Sequence, residues 1–277
     1  SEKTGKRGRL RPVLATEKDL RLFHTQKYIN FVKQSSQRGT GFLDNGDTPV
    51  FKGMFEASKY VVGSTLHGLD MIMNNKSVHV FNPIGGLHHA RKDSAAGFCV
   101  FNDAAIAIIQ AKKKYNLKRI LYFDIDAHHG DGVFYSFYDD SDVYIIDIHE
   151  DGKFLFPGTG SKDETGKGIA KGTKLNIPVP PGTNDADLKK KFDKVENFII
   201  KIKPEIILFQ CGGDCLKNDP TAHLEYTPKT YSFVAKKIHQ LAHKFCNGKV
   251  LAMGGGGYSP DNTAKAWVNV VESFLNH

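Results

Sequence analysis

Short apolar runs recur along the 277-residue chain, and each ends in polar or glycine-rich sequence. Val78-His79-Val80-Phe81 leads into Gly85-Gly86-Leu87-His88-His89, and Leu121-Tyr122-Phe123 leads into Asp124-Ile125-Asp126-Ala127-His128. Val143-Tyr144-Ile145-Ile146 leads into Asp147-Ile148-His149, and Glu205-Ile206-Ile207-Leu208-Phe209 into Gln210-Cys211-Gly212-Gly213-Asp214. Val250-Leu251-Ala252-Met253 leads into Gly254-Gly255-Gly256-Gly257-Tyr258. The stretches between these runs carry apolar positions three and four apart. Strand-length runs alternating with helical periodicity predict an α/β fold, a parallel β-sheet flanked by helices within a single domain. In such sheets ligands bind beyond the carboxyl ends of the strands, and the unusual residues of this chain fall there.

Capping residues mark the helix starts. Thr16 caps a helix expected over residues 17–34, Asn102 or Asp103 opens an alanine- and isoleucine-rich helix, and Asn184 or Asp185 opens one over residues 188–201. Thr227-Pro228 and Ser259-Pro260 place a capping side chain before proline at the first helical position. Phe192, Val195, Phe198, Ile199 and Ile202 share one helical face and read as core packing against the sheet.

The run from Leu121 to Gly132 carries the chemistry. On an extended backbone Asp124, Asp126 and His128 project to one side and Ile125 and Ala127 to the other. Carboxylate oxygen with imidazole nitrogen is the donor set of a catalytic transition metal, usually zinc, with one position left open. A solvated surface turn is the alternative, but such turns seldom follow an apolar run directly and have no need of paired histidines. His88 and His89, adjacent behind a Gly-Gly turn with aspartates available from another strand end, read as acid/base groups rather than surface residues. His129 follows a candidate ligand and is expected to face away into local hydrogen bonding. His24, His67, His79, His223, His239 and His243 lie in helical, strand or isolated positions and read as structural.

Composition narrows the setting. A chain of this length with 40% hydrophobic residues can bury a large core. It has no low-complexity tract, internal repeat, signal-peptide pattern or apolar stretch long enough to span a bilayer, so a soluble, cytoplasmic protein without membrane partners is expected. Four scattered cysteines make no disulfide framework, and Cys211 with Cys215 is a weak zinc motif lacking a second pair. The formal charge of +8, with Lys3, Lys6, Arg7, Arg9 and Arg11 near the start, invites a nucleic-acid reading. Runs such as Lys112-Lys113-Lys114 and Lys189-Lys190-Lys191 are instead solvated helix faces, and no nucleic-acid-binding motif accompanies them, so direct nucleic-acid binding is not expected.

In their order, Gly85 to Ala90, Gly97-Phe98-Cys99, Asp124 to Gly132, Phe156-Pro157-Gly158-Thr159-Gly160, Gly213-Asp214 and Gly254 to Tyr258 resemble the motifs of the zinc-dependent histone deacetylases. The resemblance runs from about Pro12 onward and is strongest to prokaryotic members, the acetoin utilization proteins and histone deacetylase-like amidohydrolases of the arginase/deacetylase fold. It implies a basic segment over residues 1–11 and a catalytic domain over residues 12–277. It makes Asp126, His128 and Asp214 ligands of a divalent ion: zinc by default, with iron(II) or cobalt suited to the same donors. It places His88 and His89 beside the reacting water, with Asp124 behind His88 and Asp131 behind His89. Tyr258 corresponds to the tyrosine that binds the developing oxyanion, Phe98 and Phe156 to the walls of the substrate tunnel beside Gly97, and Asp47 to a rim carboxylate that holds the substrate backbone. A structural potassium ion is implied near backbone carbonyls of Asp124, Asp126, His128, Asp147 and Ile148.

Several departures accompany the resemblance. Asp147 stands where many relatives have serine; a carboxylate there would hold a cation more tightly and shift nearby pKa values. Residues 1–11 show neither the Gly-His-Pro segment nor the channel arginine that opens many relatives, so the start looks clipped. Asp219-Pro220-Thr221 replaces a rim leucine common in eukaryotic members. Three readings follow. The first is a deacetylase acting on acetyl-lysine in proteins or peptides, basic chromatin proteins among them. The second is an acetylpolyamine or other small-molecule amidohydrolase. The third is a non-catalytic acetyl-lysine binding module, which would suit a chain that had lost Tyr258 or a metal ligand.

Overall fold

The computed structural model describes residues 8–275; Lys3, Lys6 and Arg7 lie outside them. The helices are α1 (Glu17–Leu20), α2 (Gln26–Arg38), α3 (Met54–Met73), α4 (Asp103–Tyr115), α5 (Asp131–Ser136), α6 (Asp185–Ile202), α7 (Pro228–Cys246) and α8 (Pro260–Leu275). The strands are β1 (His79–Asn82), β2 (Ile120–Asp124), β3 (Val143–Glu150), β4 (Lys174–Val179), β5 (Ile206–Gln210) and β6 (Val250–Met253). They form one sheet in the order β1-β6-β5-β2-β3-β4 with every pairing parallel. The five apolar runs thus become five of its strands. The sixth, β4, escaped the sequence pattern because Lys174, Asn176 and Pro178 interrupt it, and proline is tolerated there because the strand is an edge.

Residues alternating along each strand feed two separate cores. Ile120, Tyr122, Val143, Ile145, Ile206, Leu208, Leu251 and Met253 pack with residues from α1 to α5. Leu121, Phe123, Ile146, Ile148, Ile207, Phe209, Val250 and Ala252 pack with α6, α7 and α8, whose Phe192, Val195, Ile199 and Ile202 face the sheet as their spacing predicts. Because β2, β5 and β6 are covered on both faces, they are apolar throughout rather than alternating.

One expected helix is two. Thr16 caps only α1, closing a capping box with Asp19, and Thr25 caps α2 through the Tyr28 N–H. Between them His24 turns into the core, where its Nε2 accepts the Asn102 N–H at 2.9 Å and its ring packs against Phe23 and Phe101. The other predicted starts hold: Asn102 caps α4, Asn184 caps α6, Thr227 caps α7 ahead of Pro228, and α8 begins at Pro260.

In space the direction of winding reverses at β2, where β3 and β4 extend to one side and β5 and β6 to the other. Such a switch point opens a crevice beyond the carboxyl ends of the central strands.

Candidate active site

That crevice holds the site. Asp124 ends β2, pairing across the sheet with Gln210 at the end of β5 and with Asp147 in β3. Asp126 and His128 follow β2, and Asp214 follows β5. The ladder itself stops at Asp124, so extended pairing does not carry the alternation to His128 as the sequence reading held. Two aspartate turns do so instead: Asp124 Oδ1 accepts the Asp126 N–H at 2.9 Å, and Asp126 Oδ1 accepts the His128 N–H at 3.0 Å. Ile125 and Ala127 meanwhile point into the core on the other side.

Asp126, His128 and Asp214 converge, with one donor atom from each within 4.8 Å of the others. His128 Nδ1 lies 3.0 Å from Asp214 Oδ2 and 3.2 Å from Asp126 Oδ1. The remaining carboxylate oxygens are steadied from behind. Asp126 Oδ2 accepts from Gln210 Nε2 at 2.8 Å and from the Gly256 N–H at 2.9 Å, and Asp214 Oδ1 accepts the Ala127 N–H at 3.0 Å. A Cβ at Gly212 or Gly256 would collide with these carboxylates, which explains glycine at both positions.

The donor set fits a divalent cation. Two fully buried carboxylates side by side repel each other, and among the protein groups alone burial and the charge of Asp126 push Asp214 up to about 7. Burial disfavours a charged His128, yet Asp126 and Asp214 outweigh it and raise the imidazole to about 10, so a proton is held where a cation would sit. Two oxygen donors and one nitrogen donor match a transition ion with a position left open.

His88 and His89 stand beside this cluster. His88 Nδ1 lies 2.7 Å from Asp124 Oδ2, and His89 Nδ1 lies 2.7 Å from Asp131 Oδ1. With both Nδ1 atoms engaged, the two Nε2 atoms face each other at 3.0 Å, and His88 Nε2 is 3.8 Å from Asp126 Oδ1. The environments split the pair. Burial opposes charge on His88, but Asp124 and Asp126 prevail and raise it to about 10; burial and the charge of His88 push His89 down to about 4. Burial also raises Asp124, to about 6, with Asp147 adding to the shift against the opposing pull of His88.

Of the aromatic groups, Phe98 and Tyr258 are in edge contact at 5.6 Å between centroids, and Phe156 packs against His89 at 5.1 Å. Their exposures of 53%, 44% and 39% for Phe98, Phe156 and Tyr258 mark an apolar mouth open to solvent above the buried donors. Gly97 has φ +50°, and a Cβ there would come within 2.5 Å of His89 and 3.0 Å of Phe156, so a side chain would close the floor of that mouth. Asp47 is exposed in a turn; its N–H goes to Asp44, and its carboxylate stays at the surface. Both Asp147 oxygens are engaged, by His149 Nδ1 at 2.6 Å and by the Gly130 N–H at 2.9 Å. Its side chain therefore supplies charge already committed to neighbours, and Ile148 points into the core. His129 bonds Thr159 Oγ1 at 2.8 Å, the local role expected of it.

Four residues support the site in ways the sequence reading did not assign to them. Gln210 ties Asp126 to Gly212. Buried Asp103 accepts the N–H groups of Gly86 and Leu87 and so fixes the turn that delivers His88. Asp44 organises the Asp47 turn, and Asp219 accepts the Tyr258 N–H at 2.8 Å. A polar residue closing an apolar strand was the available signal for Gln210, and Asp44 acts on N–H groups only a few residues on, whereas Asp103 and Asp219 act across sequence separations that spacing cannot reveal.

The Histone deacetylase domain family matches residues 2–274. The chain belongs to the histone deacetylase family. It is 41% identical over 272 residues to the acetoin utilization protein AcuC of Bacillus subtilis, covering 94% of this chain and 70% of that protein. It is 38% identical over 279 residues to AcuC of Staphylococcus aureus strain COL, covering 96% and 71%. The crystal structure of a histone deacetylase homolog from Aquifex aeolicus superposes with a TM-score of 0.86 at 33% identity, over 97% of this chain and 73% of that one. This histone deacetylase family member is therefore a hydrolase of the deacetylase class with the arginase/deacetylase fold, and a catalytic metal ion goes with the family. Among the described residues no helix is long and apolar enough to cross a membrane.

Proposed function

We propose that the enzyme hydrolyses the acetyl amide of Nε-acetyl-lysine in proteins or peptides, using zinc held by Asp126, His128 and Asp214. The observation that carries this is the convergence of those three donors beside the His88–His89 pair, beneath an apolar mouth edged by Phe98, Phe156 and Tyr258. When bound, the ion supplies Lewis-acid polarisation of the amide carbonyl and lowers the pKa of water.

The chain does the rest. Asp124 and Asp131 fix His88 and His89 through Nδ1 and leave both Nε2 atoms to exchange protons at the reacting centre. One Nε2 takes the proton of the attacking water, and a proton is returned from the pair to the leaving lysine nitrogen, giving acetate and a free amine. The Tyr258 hydroxyl donates to the oxyanion as the carbonyl becomes tetrahedral. Phe98, Phe156 and Gly97 line the path of the four-carbon stem. That stem enters without the desolvation cost of an ammonium because acetylation has removed its charge. Asp47 takes the substrate's backbone N–H groups at the rim. A potassium ion on the carbonyls of Asp124, Asp126, His128, Asp147 and Ile148 would stiffen the strand ends beneath the site. Residues 12–277 form the catalytic unit. Four buried free cysteines suit a reducing compartment such as the cytoplasm.

The test is kcat/KM on an acetyl-lysine peptide, on free Nε-acetyl-lysine and on an acetylated polyamine. The peptide should lead, and Asp47→Ala should remove most of its advantage over the free amino acid. Equal values for the first two, or a lead for the polyamine, would make this a small-molecule amidohydrolase.

A further inference from the structure

A second group of convergent donors lies at the opposite end of the sheet. His79 is the first residue of β1, the edge strand, so it sits at the amino ends of the strands while the active site lies beyond their carboxyl ends. His239 and His243 are four residues apart on α7 and therefore share a helical face. Their ring centroids are 4.5 Å apart, and both rings meet His79, at 4.9 Å for His239 and 5.3 Å for His243. One ring nitrogen from each of the three lies within 4.8 Å of the others, and His79 Nε2 is only 3.0 Å from His239 Nδ1.

Three observations favour a cation over simple packing. First, the donors are three imidazoles and no carboxylate, a set that suits late first-row divalent ions such as zinc, nickel or copper and disfavours calcium and magnesium. Second, His79 Nδ1 is buried without a hydrogen-bond partner, a polar atom left unsatisfied inside the group. Third, His243 lies in the last turn of α7, where the helix dipole favours positive charge. Around the group, Phe274 packs on His79 at 5.1 Å, and Gly248 leaves room for the His243 ring, which a Cβ there would approach to 2.8 Å. His239 is buried and His243 exposed, so water can reach a fourth coordination position from one side.

We propose that His79, His239 and His243 form a second metal site, which binds one zinc-class divalent ion and clamps edge strand β1 to α7. Strand β1 pairs only with β6 and leads into the Gly85–His89 turn, so a clamp at its start would steady the element that delivers the histidine pair.

Metal counting on the untagged full chain, dialysed against zinc or titrated with cobalt(II), tests this. Wild type should hold two ions per chain and the double variant His239→Ala/His243→Ala one, with its circular dichroism spectrum and deacetylase activity retained. Asp214→Ala should also hold one, and adding the two histidine changes to it should leave none. A wild-type count of one, or an unchanged count in a folded double variant, would overturn the second site. Loss of the catalytic ion alone in Asp214→Ala would leave it standing, so the two metal assignments fail separately.

Discussion

At the scale of single residues, Tyr258 carries the sharpest expectation. Its hydroxyl sits at the mouth, and burial with the nearby charges of Asp126 and Asp214 raises its pKa well above the ordinary phenol value. It therefore remains a donor across the working range of pH. Tyr258→Phe should lower kcat by about 100-fold to 1000-fold, the usual cost of one oxyanion donor, with KM, metal content and unfolding midpoint little changed. Steady-state kinetics beside metal analysis checks this, and an unchanged kcat would assign the oxyanion to another group. Tyr258, His88, His89, Asp126, His128 and Asp214 could be singled out from the sequence because each stands in a conspicuous motif. Asp219 stood out only as part of the segment that replaces a rim leucine, and its bond to the Tyr258 N–H was not legible because it spans 39 residues. Asp103 went unread as a support for the His88 turn because an aspartate in a helix's first turn already has an ordinary explanation there.

At the scale of elements, strand order and capping explain most of what the hydrophobic pattern conveyed. Central strands are apolar because helices cover both faces, and their ends are polar because the site lies there. The pattern failed where polar residues and a proline interrupt a strand, as at β4, and where a buried ring interrupts a helix, as at His24. That junction has a pH signature. Burial depresses His24 from 6.5 to about 4 in the folded chain, so above pH 6.5 it is neutral in both folded and unfolded states. As pH falls below 6.5 the unfolded chain takes up a proton that the folded one refuses, and stability is lost until about pH 4. By pH 5 the loss from this group is about 2 kcal/mol. Denaturant unfolding at pH 7 and pH 5 should therefore show a smaller drop for His24→Gln than for wild type. Equal drops would mean that His24 is not held neutral.

At the scale of the whole molecule, the chain places His88, His89, Asp126, His128, Asp214 and Tyr258 on segments that follow the carboxyl ends of parallel strands, on both sides of the switch at β2, while Asp47 comes from the connection between α2 and α3. The fold class follows from periodicity alone, but the convergence of residues from β1, β2, β5 and β6 does not, since spacing fixes neither strand order nor which ends meet. The formal charge of +8 comes partly from the basic residues near the start and partly from lysines on helix surfaces, and it bears on solubility and on the approach of partners, not on the buried chemistry. The central claim is that Asp126, His128 and Asp214 hold the ion on which amide hydrolysis depends. The most direct measurement is acetate release from an acetyl-lysine peptide by protein as purified, after stripping with a chelator and after reloading with zinc. Activity should vanish on stripping and return on reloading in wild type, and should remain absent in Asp214→Ala under all three conditions. Full activity in stripped, metal-free protein, or in Asp214→Ala, would contradict the account.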